Sequence, residues 1–171
     1  ILIYPVAGIL LIGIIMLLIN PFVASINTGL NNFLFSMSGV NKVILGAILA
    51  GMMSVDLGGP VNKAAYTFGT GMLAEGHYEI MAAVMIGGMV APLAIAILAT
   101  FFPKKLPKKE RQAGLLNYVM GLSFISEGAI PFASADPIRV IPACVVGSAV
   151  SGALSMAFNC TLMAPHGGIF V

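Results

Sequence analysis

Ser123-Phe124-Ile125-Ser126-Glu127-Gly128-Ala129-Ile130-Pro131-Phe132 sets a carboxylate where a hydrophobic run is interrupted by Gly128 and Pro131. Between Arg111 and Asp136, Glu127 is the only ionised side chain. A charged group on a lipid-facing helix costs at least about 2.5 to 3.5 kcal/mol, so it persists only where it meets protein, water or a ligand. Backbone released by Gly and Pro at membrane depth must likewise be buried in protein or line a cavity. The segment combines an ionisable group, free backbone dipoles and hydroxyls, which together can bind a polar ligand.

The rest of the chain has the composition such a segment needs. Of 171 residues, 59% are hydrophobic and only 8% charged, with a mean hydropathy of +1.04, whereas soluble domains carry roughly 25% charged residues. The fold class expected is an all-α membrane protein, a polytopic transmembrane helix bundle with two re-entrant helical hairpins in a lipid bilayer. With 20 Gly and no Trp, close helix packing through small residues is expected. A net charge of +2 gives no footprint for nucleic acid. Five of the eight basic residues fall between Lys104 and Arg111, so residues 103–113 are expected to form a cytoplasmic loop by the positive-inside rule. The alternative is a patch for lipid headgroups or a docking partner.

Three stretches reach the roughly 20 apolar residues that a crossing needs: about 1–23, with an end or kink at Pro21; 80–102, with a kink at Pro92; and 140–164. Between them lie two interrupted pieces expected to be the re-entrant hairpins, about 43–74 and 115–135. The first breaks at Asp56-Leu57-Gly58-Gly59-Pro60-Val61-Asn62-Lys63, the second at Glu127. Paired Gly/Pro-interrupted segments of this kind point to a transporter's substrate site, and the shared order of acid, Gly and Pro suggests an internal repeat. Residues 27–41 are more polar and fit an interfacial helix or a loop.

The candidate ligands sit at these breaks. Asp56, Asn62 and Lys63 offer an acceptor, an amide and an ammonium beside Gly59, where the backbone can approach a ligand closely; the alternative is an Asp56–Lys63 pair at the membrane interface. Glu127 offers two acceptor oxygens suited to vicinal hydroxyls or, alternatively, is a counter-ion for Arg139 or Lys63. His166, in Ala164-Pro165-His166-Gly167-Gly168, can bond a hydroxyl and exchange a proton. His77, between Glu75 and Glu79, fits an interfacial position. Asp136 is expected to cap a helix that starts at Pro137. Cys144 and Cys160 are too far apart for a CxxC pair and are expected to pack as small residues. No metal site, cofactor, Walker loop or nucleophile elbow is expected.

Four strings together, Asp56 to Ala65, Ile125 to Phe132, Ala135 to Pro142 and Ala164 to Phe170, resemble the fructose-specific enzyme IIC of the bacterial phosphoenolpyruvate-dependent sugar phosphotransferase system. That resemblance implies a sugar permease in the bacterial inner membrane, multi-pass, homodimeric and elevator-like, that binds fructose or a similar hexose. It also implies an enzyme IIB partner whose phosphocysteine phosphorylates the sugar. Glu127 corresponds to the family's hydroxyl-binding glutamate and is the expected catalytic residue; His166 falls in its Pro-His-Gly-Gly motif. The chain is expected to be part of a sugar phosphotransferase complex while lacking the phosphorylated cysteine domain, and to be about half of an enzyme IIC, cut from a longer polypeptide. Two alternatives remain: an ion-coupled secondary transporter using Glu127 as a proton site, and a non-transporting membrane scaffold.

Overall fold

The computed structural model describes residues 3–37 and 42–171. Seven α-helices are present among them, and no strands: α1 (Ile3–Met37), α2 (Lys42–Val55), α3 (Pro60–Ala74), α4 (Tyr78–Phe101), α5 (Lys108–Leu122), α6 (Ile130–Ala135) and α7 (Pro137–Ala157). The chain divides into two units, residues 1–36 and residues 37–171.

The first unit is the long helix α1. Instead of ending at Pro21, it runs through it as far as Met37, so the crossing expected over 1–23 belongs to a longer helix. Pro21 removes one backbone donor from the helix. Beyond it, the Ser25 hydroxyl donates to the Phe22 carbonyl at 2.7 Å and Thr28 to that of Ala24 at 2.9 Å. The stretch assigned to an interfacial helix or loop, 27–41, is therefore helical to Met37; its last four residues lie outside the described ones.

In the second unit α4 is central and largely buried, with Pro92 inside it. At about 1.5 Å per residue, its 24 residues span the ~30 Å hydrocarbon core. Helix α7 is also long and apolar enough to cross a membrane, and it exposes Val146, Val150 and Leu154 along one side.

Glycines bring α2, α4 and α7 together. A Cβ on Gly87 would lie 2.5 Å from the Ala50 Cα, and Gly46 and Gly152 face each other so closely that neither could carry a side chain. In this contact the Ser54 and Ser148 hydroxyls are 2.7 Å apart, and Ser148 donates to the Gly87 carbonyl at 2.9 Å. All three helices are thus joined through buried serines, as expected where apolar burial gives no net drive between helices in lipid.

Two boundaries differ from the sequence expectation. Helix α7 stops at Ala157, not near 164, because Asn159 takes a left-handed conformation (φ 51°). The Asn159 N–H bonds the Met156 carbonyl and the Cys160 N–H that of Ser155, the paired bonds of a Schellman stop. Cys160 is consequently exposed, whereas Cys144 is buried. The basic loop is shorter than 103–113: Pro103–Lys105 is a 3-10 turn and α5 already begins at Lys108. Glu110 in its first turn suits the positive end of a helix dipole.

Candidate functional site

The two sequence breaks meet. After α2, Leu57 (φ 49°) and Gly58 (φ 118°) turn the chain into α3; after α5, Phe124 (φ 64°) turns it into a 3-10 segment, Ser126–Ala129, and then α6. Leu57 is buried in one cluster with Ala129, Phe132 and Ala133 of the second break, which offsets the roughly 1–2 kcal/mol cost of its left-handed backbone. The Glu127 carboxylate lies over Gly58, where a Cβ would stand 2.8 Å from Oε1.

Asp56 holds the first break in shape. Its carboxylate accepts from the backbone N–H of Val61 at 2.7 Å and of Asn62 at 3.0 Å, filling donors that the first turn of α3 would otherwise leave open. A Cβ on Gly59 would fall 2.5 Å from Asp56 Oδ2, so glycine there makes room for the cap. Asp56 does not pair with Lys63. Asp56→Ala should cost about 0.5–2 kcal/mol, as for loss of a helix cap, read as a lowered melting temperature of the purified full-length protein. Unchanged melting with weakened sugar binding would return Asp56 to the ligand set.

A cleft of about 530 Å³ opens between the breaks, lined by Met53, Asn62, Lys63, Tyr66, Phe124, Ile125, Ser126, Glu127 and His166, within the ordinary size range of small-molecule sites. Four of the sequence candidates, Asn62, Lys63, Glu127 and His166, are therefore gathered here, while Asp56 and Gly59 are not in its wall. Asn62 is 3% exposed; its amide donates to the Met53 carbonyl at 2.7 Å and reaches Ser126 Oγ at 3.5 Å, bridging α2 to the second break. Glu127 is exposed and has no ion pair among the described residues. Arg139, its suggested counter-ion, is instead 3.4 Å from Asp136, which also accepts from the Arg139 N–H as the cap of α7.

His166 reaches the cleft from the far end of the chain. Gly168 (φ 64°) sits against the Leu122 carbonyl, and this docking sets the His166 ring edge-on to Phe124 at 5.3 Å. His77 lies away from this cleft, 3.7 Å from Glu79, which also meets Lys42 at 3.4 Å.

Tyr66 and Phe124 were not foreseen. The rings are 6.2 Å apart, and Phe124 also fills the space over Gly88 of α4. A bulky residue at positive φ is an outlier of the kind that clusters at ligand sites. Tyr66 could have been found from spacing, since it follows Asn62 by four residues and so shares its helix face; nothing in the sequence marks Phe124. Behind the second break, Asn117 is 1% exposed, neither atom of its amide has a hydrogen-bond partner among the described residues, and it presses on Gly128.

The arrangement is a membrane-type helical fold with a polar cleft at two helix breaks. The chain belongs to the family Phosphotransferase system, EIIC, whose sequence profile matches residues 1–147; this is a membrane permease domain. It is 54% identical to the fructose permease IIC component of Bacillus amyloliquefaciens, covering all of this chain and 56% of the relative. It is 52% identical to the PTS system fructose-specific EIIABC component of Bacillus subtilis, and 55% to the fructose-specific EIIB'BC component of Vibrio cholerae, covering 27% and 30% of them with all of this chain. The chain thus spans from about a quarter to just over half the length of these relatives. No solved structure matches it.

Proposed function

We propose that this chain is the sugar-binding part of a fructose permease that moves fructose or a similar hexose across the bacterial inner membrane, coupled to phosphorylation by enzyme IIB. The observation that carries this is the meeting of two helix breaks on one polar cleft, in a family whose relatives are named for fructose. Glu127 accepts hydrogen bonds from vicinal hydroxyls, Ser126 and His166 supply further partners, and the Phe124 and Tyr66 rings present apolar surface to the sugar's C–H groups. Glu127 is also within the cleft as the base for the hydroxyl that takes the phosphoryl group. Asn62 acts chiefly by keeping the two breaks in register.

The arms α2 and α3, of 14 and 15 residues, and α5 and α6, of 15 and 6 residues, are each at most about 23 Å long, shorter than the hydrocarbon core, which supports re-entrant hairpins for 43–74 and 115–135. The basic turn at Lys104 and Lys105 is cytoplasmic, on the side where enzyme IIB docks, and the complete permease is a homodimer. In proteoliposomes holding the full-length permease, fructose should accumulate only as its phosphate ester and only with phosphorylated enzyme IIB. Accumulation of free fructose driven by an ion gradient, without a phosphoryl donor, would establish the secondary-transporter alternative instead.

A further inference from the structure

We propose that Lys63 forms a phosphoryl subsite in the cleft, binding the phosphate of the phosphorylated hexose rather than a hydroxyl of the free sugar. This rests on the group-translocation reading above. A neutral sugar needs hydrogen-bond partners, which Glu127, Ser126 and His166 supply, and it has no negative charge for an ammonium to meet. The sugar's phosphate ester has one, and it must lie in the same cleft when it forms.

Three of the acids are engaged elsewhere. Asp56, the nearest in sequence, spends its carboxylate on the backbone N–H groups of Val61 and Asn62. Asp136 pairs with Arg139, and Glu79 with Lys42 and His77. Glu127 shares the cleft wall with Lys63, yet no ion pair joins them among the described residues. Lys63 is thus a cation at the cleft with no ion pair among the described residues, held in the first turn of α3 by its N–H bond to the Gly59 carbonyl at 3.0 Å. Lysine acts on phosphate as a point charge.

The test compares binding of fructose, fructose 1-phosphate and fructose 6-phosphate to the purified full-length permease. Lys63→Gln should weaken whichever phosphate ester the wild type binds by about ten-fold or more beyond any change for fructose, the scale of a lost charged hydrogen bond. Lys63→Arg should keep the ester's affinity within about three-fold, since the charge remains. Equal weakening of fructose and its phosphates would make Lys63 a sugar ligand and overturn the proposal. So would unchanged ester binding in Lys63→Gln, or a wild type that binds neither ester. Glu127→Gln, measured alongside, tests the sugar site separately: unchanged fructose affinity there would overturn that site whatever the Lys63 ratio.

Discussion

Glu127→Gln is expected to weaken fructose binding and enzyme IIB-dependent phosphorylation together, each by roughly ten- to a hundred-fold. Glutamine keeps the shape and one acceptor oxygen but loses the charge, and charge-assisted hydrogen bonds are about twice as strong as neutral ones. Hydrogen bonds to charged groups contribute about 1.5 to 3 kcal/mol, which converts to that range of affinity. The protein should still insert and fold, because Glu127 is exposed at the cleft and joins no ion pair among the described residues that the substitution could break. Isothermal titration with the full-length permease, paired with a phosphorylation assay using its enzyme IIB, separates the outcomes. If both stay at wild-type levels, Glu127 is no sugar ligand. Weaker binding together with uptake that no longer needs a phosphoryl donor would refute group translocation.

Legibility in the sequence follows the range over which each signal acts. The carboxylate at Glu127 and the Gly/Pro breaks at Asp56–Lys63 and Ile125–Phe132 stand out locally, because charge and helix breakers are rare in so apolar a chain. The capping role of Asp136 is local as well, and is seen in the structure. The hydrogen bonds of Asp56 are not legible locally, because its partners, the Val61 and Asn62 N–H groups, become available only once α3 starts at Pro60. The end of α7 was also readable in principle: Asn159 is a residue type that tolerates a left-handed stop, but the apolar run beyond it outweighed that signal. What no local pattern carries is the encounter of distant segments. Phe124 at its positive φ, the Gly167–Gly168 turn that docks His166, and the burial of Leu57 among second-break residues all depend on tertiary packing.

The largest loss of stability is expected at the α2–α7 crossing, from Gly152→Val. A Cβ there would collide with the Gly46 carbonyl and the Ala50 Cβ, while Gly87 already leaves α4 pressed on Ala50 from the other side. No rotamer relieves contact between a Cβ and backbone, so the helices must separate. Overpacking of this kind costs about 1–3 kcal/mol. Separation would also stretch the Ser54–Ser148 hydrogen bond and the Ser148 bond to Gly87, each worth about 0.6 to 1.7 kcal/mol between helices in a membrane. The melting temperature of the purified full-length permease should therefore fall by several degrees. Val146→Ala, on the exposed side of α7, should change stability by no more than about 0.5 kcal/mol. Equal melting of the Gly152→Val and wild-type proteins would mean that α2 and α7 do not cross at these glycines. The same crossing sets α2 against α4 and α7, and α2 carries the Met53 carbonyl to which Asn62 is tied, so a loosened crossing should weaken fructose binding even though Gly152 is absent from the cleft wall.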